Sequence, residues 1–289
     1  MFYSTLVSLF AVLPFYGYAL LLLFLACYLY RKTCRFSFTD ELTERDNPAF
    51  GASFAGYLLG VAIALTGTLP SRGVSFEEGL ISMTFSGVLA VVLMRLSIWI
   101  NDAFVLSRFD GLVEILRDRN VGAGFAVAGA SIGTGLVLAA VMTGNSESYL
   151  YAIRDILVYW AVGQALFIAG AHLFFRMAGY DVQEALEKKN NTAAGLSIGG
   201  FLISFGILMW AVSRNASGHL LDELAVTVLL AVTGGAILLL SRIATEKIIL
   251  PRISFAKEIS IDENKAAGLV SAASSIVTAL LLAAAIAAR

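Results

Sequence analysis

Charge is what this 289-residue sequence has least of. Only 14% of its residues are Asp, Glu, Lys or Arg, against about 25% in an ordinary soluble domain. That shortage excludes a soluble globular domain and a charge-rich disordered chain alike. The net charge of −1 gives no electrostatic support to a nucleic-acid partner. Two cysteines, Cys27 and Cys34, are too few for a disulfide framework and read as free thiols. Two histidines, His172 and His219, fall near opposite ends of the apolar runs and make no metal cluster with the cysteines. No metal or other cofactor is expected. No Gly-x-x-x-x-Gly-Lys phosphate loop occurs, and no Gly-x-Ser-x-Gly nucleophile elbow is expected; the sequence does not read as an enzyme.

What is present is apolar. The AVILMFWYC share is 58% and the mean hydropathy is +0.82. A hydrocarbon core of about 30 Å takes about 20 apolar residues per helix. Eight runs qualify, at 8–30, 48–69, 79–100, 121–142, 156–175, 193–213, 225–244 and 266–288. Strict alternation is missing, which excludes a β-barrel. The first run lacks a basic leader and a small-residue cleavage site, so it reads as a retained helix. The fold class is an all-α polytopic membrane protein with eight transmembrane helices.

Basic residues set its orientation. The connections after runs one, three, five and seven hold 14 of the 20 Lys and Arg, among them Arg31, Lys32, Arg35, Arg117, Arg119, Lys188, Lys189 and Lys257. Arg95 and Arg242 flank the same side, and only Arg72, Arg154, Arg214 and Arg289 lie on the other. Those four connections are therefore expected in the cytoplasm and both termini outside. They are too short for a folded domain but long enough for an amphipathic turn.

The chain repeats itself. A shift of 144 residues lays Asn47-Pro-Ala-Phe-Gly51 on Asn191-Thr-Ala-Ala-Gly195, with Ser53 on Ser197 and Gly56 on Gly200. Between 114 and 134, ten of 21 positions are identical to 258–278, including Glu114 on Glu258, Asp118 on Asp262, Asn120 on Asn264, Ser131 on Ser275 and Thr134 on Thr278. The halves are 1–144 and 145–289. A weaker repeat runs inside each. Asn47, Asn120, Asn191 and Asn264 are spaced 73, 71 and 73 residues apart, and each opens an Asn-x-(Ala/Gly)-x-Gly motif. The unit is a helical hairpin used four times, in two parallel four-helix repeats.

These asparagine motifs, the stretch from Tyr180-Asp181-Val182 through Asn191 to Gly200, and Leu250-Pro251-Arg252 followed by Glu258 and Asn264 resemble the uncharacterised bacterial inner-membrane family often called YjfL-like. Its members carry one or two copies of a four-helix domain. The resemblance covers nearly the whole chain, although Pro48 and Phe50 replace usual small residues in the first half. It implies a bacterial inner-membrane protein whose gene neighbours resemble phage-shock membrane-stress proteins and ATP-grasp amide ligases. It implies no catalytic residues.

Small residues fill the even-numbered runs: Gly56 with Gly60, Gly129 with Gly133, Gly195 with Gly199, and Ser271, Ser275, Ala279, Ala283 and Ala287 at steps of four. Close approach of helices in lipid needs such residues. The odd runs carry bulk, such as Phe24, Leu93, Trp99, Trp160 and Phe167. An inner ring of even helices inside an outer ring of odd ones is expected.

The polar residues read two ways. Asn47, Asn120, Asn191 and Asn264 are four helix caps, or four helix N-termini converging on an anion at a cytoplasmic mouth. Glu114 with Asp118 and Glu258 with Asp262 are surface acids before a helix, or a carboxylate ring at a cation entry. Asp40 and Glu184 are equivalent under the shift, and so are Glu78 and Asp222, which read as caps. Ser53, Ser197, Ser131, Ser275, Thr134 and Thr278 are interhelical glue or the lining of a polar pathway. Arg95 snorkels to the interface, or pairs inside the membrane with Asp102, seven residues on; its counterpart under the shift is Leu239. His172 is expected at the interface.

Three functions compete. The first is a channel or transporter for a small ion or solute. The second is a non-catalytic scaffold that recruits a peripheral membrane-stress protein through Glu114 and Glu258. The third is lipid binding or scrambling in a groove between the halves. A homodimer or larger oligomer is expected, since exposed small-residue faces call for a partner.

Overall fold

A computed structural model describes residues 2–34, 36–71, 74–108, 110–143, 149–212 and 220–288. Among the described residues the chain is helical, without strands. The helices are α1 (Phe2–Thr33), α2 (Phe38–Thr43), α3 (Pro48–Thr66), α4 (Phe76–Phe104), α5 (Gly111–Leu116), α6 (Val121–Met142), α7 (Tyr149–Met177), α8 (Val182–Lys189), α9 (Thr192–Val212), α10 (Leu220–Ile249), α11 (Phe255–Ser260) and α12 (Lys265–Ala287). Eight are long and apolar enough to cross a membrane. The other four, α2, α5, α8 and α11, each precede one of α3, α6, α9 and α12. They occupy the connections expected to be long enough for a turn. α2 and α5 are not simply amphipathic, since they bury Glu41 and Glu114 and expose Leu42, Leu112 and Val113. Arg35, Arg72, Arg214, Arg289 and His219 lie outside the described residues.

The two kinds of long helix differ in length. α3, α6, α9 and α12 have 19 to 23 residues, whereas α1, α4, α7 and α10 have 29 to 32. At about 1.5 Å per residue a helix of the second kind is about 44 Å long, well beyond the hydrocarbon core. Ser75 caps α4 and its hydroxyl lies 2.9 Å from the Glu78 carboxylate. Glu78 thus accepts from the capping hydroxyl, and its own N–H donates to it; it is not the cap itself.

The expected rings are instead two layered rows. α3 packs on α6, α6 on α9 and α9 on α12, and no comparable contact joins α12 to α3. The longer helices lie over the grooves: α4 against α3 and α6, α7 against α6 and α9, α10 against α9 and α12, with α1 on α3 and α4. Two seams on each inner helix explain the row. In α6, Gly124 and Gly135 meet α3, while Gly129 meets α9. At about 100° per residue those faces stand about 140° apart, too wide for a ring of four.

Each unit turns the same corner. The short helix ends on a left-handed residue, at Asp46, Arg119, Asn190 and Glu263 with φ of 45°, 50°, 51° and 49°. The asparagine comes next. Its backbone N–H closes back on the carbonyl six residues earlier, from Asn47 to Glu41, Asn120 to Glu114, Asn191 to Ala185 and Asn264 to Glu258, at 2.8–3.1 Å. That closure spans one residue more than the six-to-one bond of a Schellman end. Its side-chain oxygen then caps the next helix, accepting from Ala49 and Phe50, Ala123, Ala194, and Ala266 and Ala267. Exposed Arg119 holds a conformation that costs a side-chain-bearing residue about 1 kcal/mol or more. Arg119→Gly is expected to raise stability by up to about 1 kcal/mol, read as a higher denaturation midpoint in detergent. A lower midpoint would mean that the arginine side chain supports the corner.

Candidate functional site

The asparagines do more than cap. Asn47 Nδ2 donates to Glu41 Oε2 at 2.8 Å and to the Ile115 carbonyl of the next unit at 2.9 Å. Asn120 repeats this with Glu114 Oε2 at 2.9 Å and the Leu186 carbonyl at 2.6 Å. Asn191 reaches the Ile259 carbonyl at 2.6 Å, and Asn264 reaches Glu258 Oε2 at 2.7 Å. One amide therefore caps its own helix, anchors a glutamate and stitches its unit to the next. The N-terminal amides that an anion would need already bond the asparagine oxygens.

The acidic pairs separate. Glu114 is buried on Asn120 and Glu258 turns to Asn264, while Asp118 pairs with Arg117 at the surface at 3.0 Å and Asp262 is exposed. Glu41, 3% exposed, is the glutamate that the 144-residue comparison misses, because Ala185 stands opposite. The signal is a Glu-x5-Asn spacing at Glu41–Asn47, Glu114–Asn120 and Glu258–Asn264; its fourth occurrence, Glu184–Asn190, ends one residue short of the capping Asn191. In the third unit Glu184 is exposed and pairs with Lys188.

The repeated hydroxyls divide between helix seams and a cavity in the first half, which Ser53 and Ser131 line. Ser197 and Ser271 bond each other across α9 and α12 at 2.8 Å. Ser53, Ser275 and Thr278 donate to their own helices, to the carbonyls of Phe50, Ser271 and Ser274. Ser131 is buried in α6. Gly129-Ala-Ser131-Ile-Gly133 and Gly195-Leu-Ser197-Ile-Gly199 have the spacing of a hydrolase elbow. Both lie inside helices, without the strand-to-helix turn that exposes such a serine.

Thr134 joins a polar seam between the halves that sequence reading missed. It accepts from Asn101 Nδ2 at 2.9 Å, Asn101 Oδ1 accepts from Gln164 Nε2, and Trp160 Nε1 donates to Ser97 at 2.8 Å. Gln164 Oε1 is buried with no partner. A lone amide inside each apolar helix was the available signal. Nearby, His172 Nε2 lies 2.9 Å from the Phe104 carbonyl oxygen, at the end of the molecule that carries the short helices.

A cavity of about 810 Å³ opens in the first half, walled by α1, α3, α4, α5 and α6. Phe50, Tyr57, Val91 and Ile115 form apolar walls, and Trp99, 66% exposed, is among the apolar side chains at its rim. Arg95 and Asp102 both line it, but they form no ion pair. The Arg95 guanidinium donates to Thr33 Oγ1 at 2.9 Å and lies 5.1 Å from the centre of the Tyr30 ring. Asp102 packs against Gly111 instead. Cys34 also lines the cavity. Burial pushes its thiol above the ordinary value, with nearby Arg95 pulling the other way.

The second half contains the same arrangement one turn displaced. Arg242, three residues after Leu239, lies 4.8 Å from the ring centre of Phe174, and Phe174 is the counterpart of Tyr30 under the shift of 144. Arg95 therefore has a partner, which an ungapped comparison hides. Arg242 is 4% exposed, and its Nε and Nη2 have no hydrogen-bond partner. Buried Tyr180 Oη is likewise unpartnered.

The family model described as Domain of Unknown Function (DUF350) matches residues 3–142 and again 148–286. The break falls where the internal repeat divides the chain. The sequence is also similar to a UPF0719 transmembrane protein of Aquifex aeolicus (strain VF5), 25% identical over 242 residues, which are 83% of this chain and 87% of that relative. No solved structure matches.

Proposed function

The chain belongs to the DUF350 family, and we propose that this member is a non-catalytic membrane protein that binds an anionic phospholipid in the groove beside Arg95. The observation that carries this reading is the cavity itself. Its volume of about 810 Å³ falls within the usual range for ligand sites, about 300–1,000 Å³. Apolar walls suit acyl chains, and an exposed arginine, held by Thr33 and Tyr30 near one end of the spans, suits a phosphate. The arginine over an aromatic ring in the second half supports it, because a buried cation with free donors favours an anion. The excess of basic residues at the end bearing the short helices supports a cytoplasmic position for that end in a bacterial inner membrane, with both termini outside. The YjfL-like resemblance agrees with that placement.

Native mass spectrometry tests this, after exchange into a mixture of phosphatidylglycerol and phosphatidylethanolamine. The wild type is expected to retain phosphatidylglycerol preferentially. Arg95→Gln is expected to lower that preference about fivefold, the equivalent of about 1 kcal/mol for one cation near an anionic headgroup. Cys34, with Cys27→Ser in place, is expected to react more slowly with a maleimide when lipid is bound. Equal retention by wild type and Arg95→Gln would contradict the reading.

Transport of a small ion or solute is the second reading, favoured by the polar seam of Asn101, Gln164 and Thr134. Flux of K⁺, Na⁺, Cl⁻, H⁺ or polyamines into proteoliposomes that Asn101→Leu abolishes would support it. Flux no greater than in empty liposomes would end it. Recruitment of a peripheral stress protein has less support, since Glu114 and Glu258 turn inward onto asparagines.

A further inference from the structure

The interface that joins units inside the chain is presented, unfilled, at both ends of the row. Four residues after each capping asparagine comes a glycine: Gly51, Gly124, Gly195 and Gly268. At three of them a β-carbon would strike the preceding helix, 2.5 Å from the Ala49 oxygen at Gly124, 2.1 Å from the Gly122 oxygen at Gly195 and 2.6 Å from the Ala193 oxygen at Gly268. At Gly51 it would meet nothing within 4 Å. Ala55, which completes this face of α3, is exposed.

The opposite face lies on α12. Ala49, Gly122 and Ala193 stand two residues after their asparagines, and Gly56, Gly129 and Gly200 stand nine after. These positions pack on the following helix. In α12 they are Ala266 and Ala273, both exposed. The corners show the same pattern. The carbonyls that take an asparagine amide, at Ile115, Leu186 and Ile259, each lie five residues before the next asparagine. The matching carbonyl of the first unit is that of Leu42, to which no asparagine among the described residues donates.

We infer that a second copy of this chain fills these faces. α12 of one copy packs on α3 of the next in the register of the three internal seams, and Asn264 donates to the Leu42 carbonyl of its neighbour. The contact pairs unlike faces, α12 with α3, and in a closed pair of copies it occurs twice about a two-fold axis. A common orientation in the bilayer supplies the parallel helices it requires. Lipid would cover any apolar face. It would not call for matching small residues and a matching amide and carbonyl at the two ends. With seams about 140° apart on each helix, the row turns about 40° per helix and closes after about nine. Two copies supply eight.

Disulfide trapping in native membranes tests this, in a Cys27→Ser, Cys34→Ser background with two differently tagged copies. Ala273→Cys on one and Ala55→Cys on the other are expected to cross-link, because their internal counterparts meet where Gly56 touches Ala128. Ala273→Cys alone is expected to give none. Gly51→Leu, which the free chain accommodates, is expected to abolish the cross-link and to convert a two-copy mass in nanodiscs to a one-copy mass. Homotypic cross-linking through Ala273→Cys, or a one-copy wild type without cross-links, would overturn the proposal.

Discussion

Gly195→Leu is expected to eliminate correctly folded protein, while Gly51→Leu leaves the fold of the single chain intact. The two glycines hold the same place after their asparagines, so helix propensity and lipid exposure of the motif largely cancel. Their surroundings differ. At Gly195 the obstruction is backbone, the carbonyl of Gly122 at 2.1 Å, which no rotamer can relieve. α6 and α9 would have to separate, and the asparagine stitch from Asn120 to Leu186 would part with them. Overpacking in a tight core costs about 1–3 kcal/mol; a clash against backbone that opens a whole seam is expected to exceed about 3 kcal/mol. The measurement is the yield of monodisperse protein and its thermal midpoint in detergent. Wild-type stability for Gly195→Leu would refute the seam.

Asn120→Ala is expected to be the most damaging of the four asparagine substitutions together with Asn47→Ala, and Asn264→Ala the mildest. Losing a cap costs about 1 kcal/mol. Asn120→Ala also strands buried Glu114, 8% exposed, and the Leu186 carbonyl, each at about 1–3 kcal/mol. A total of about 3 kcal/mol or more follows. Asn191 has no glutamate, so its removal costs less. Asn264 stitches to no following unit within the chain. The double substitution Asn120→Ala, Glu114→Leu is expected to recover part of the loss, because it removes the stranded carboxylate along with its partner. Denaturation midpoints of the five variants give the order. Equal midpoints for Asn120→Ala and Asn264→Ala would show that the asparagines are only caps.

Much of this was legible in the sequence. Eight long apolar runs gave the spans, because the bilayer demands length and apolarity of each helix separately. The small residues of the even runs marked the inner helices. Their arrangement in a row depends on which glycine of α6 faces which neighbour, a property of two faces of one helix that counting small residues does not separate. The asparagines were legible as caps, and their role as stitches was not, since the acceptors are backbone carbonyls about 66–68 residues away. Glu41 was hidden by a comparison between halves, where Ala185 stands opposite, and appears when neighbouring hairpins are compared. Arg242 was hidden by a displacement of one turn. Asn101 and Gln164 have no repeated counterparts, being opposite Thr245 and Leu20, so only the fold brings them together.

The row of parallel inner helices is tested most directly by a disulfide between Ser197→Cys and Ser271→Cys in membranes, with Cys27 and Cys34 replaced by serine. The native hydroxyls are 2.8 Å apart, so rapid intramolecular oxidation is expected, whereas Ser53→Cys with Ser271→Cys is expected to give no bond because α3 and α12 stand at opposite ends. No bond in the first pair, or a bond within one chain in the second, would contradict the account.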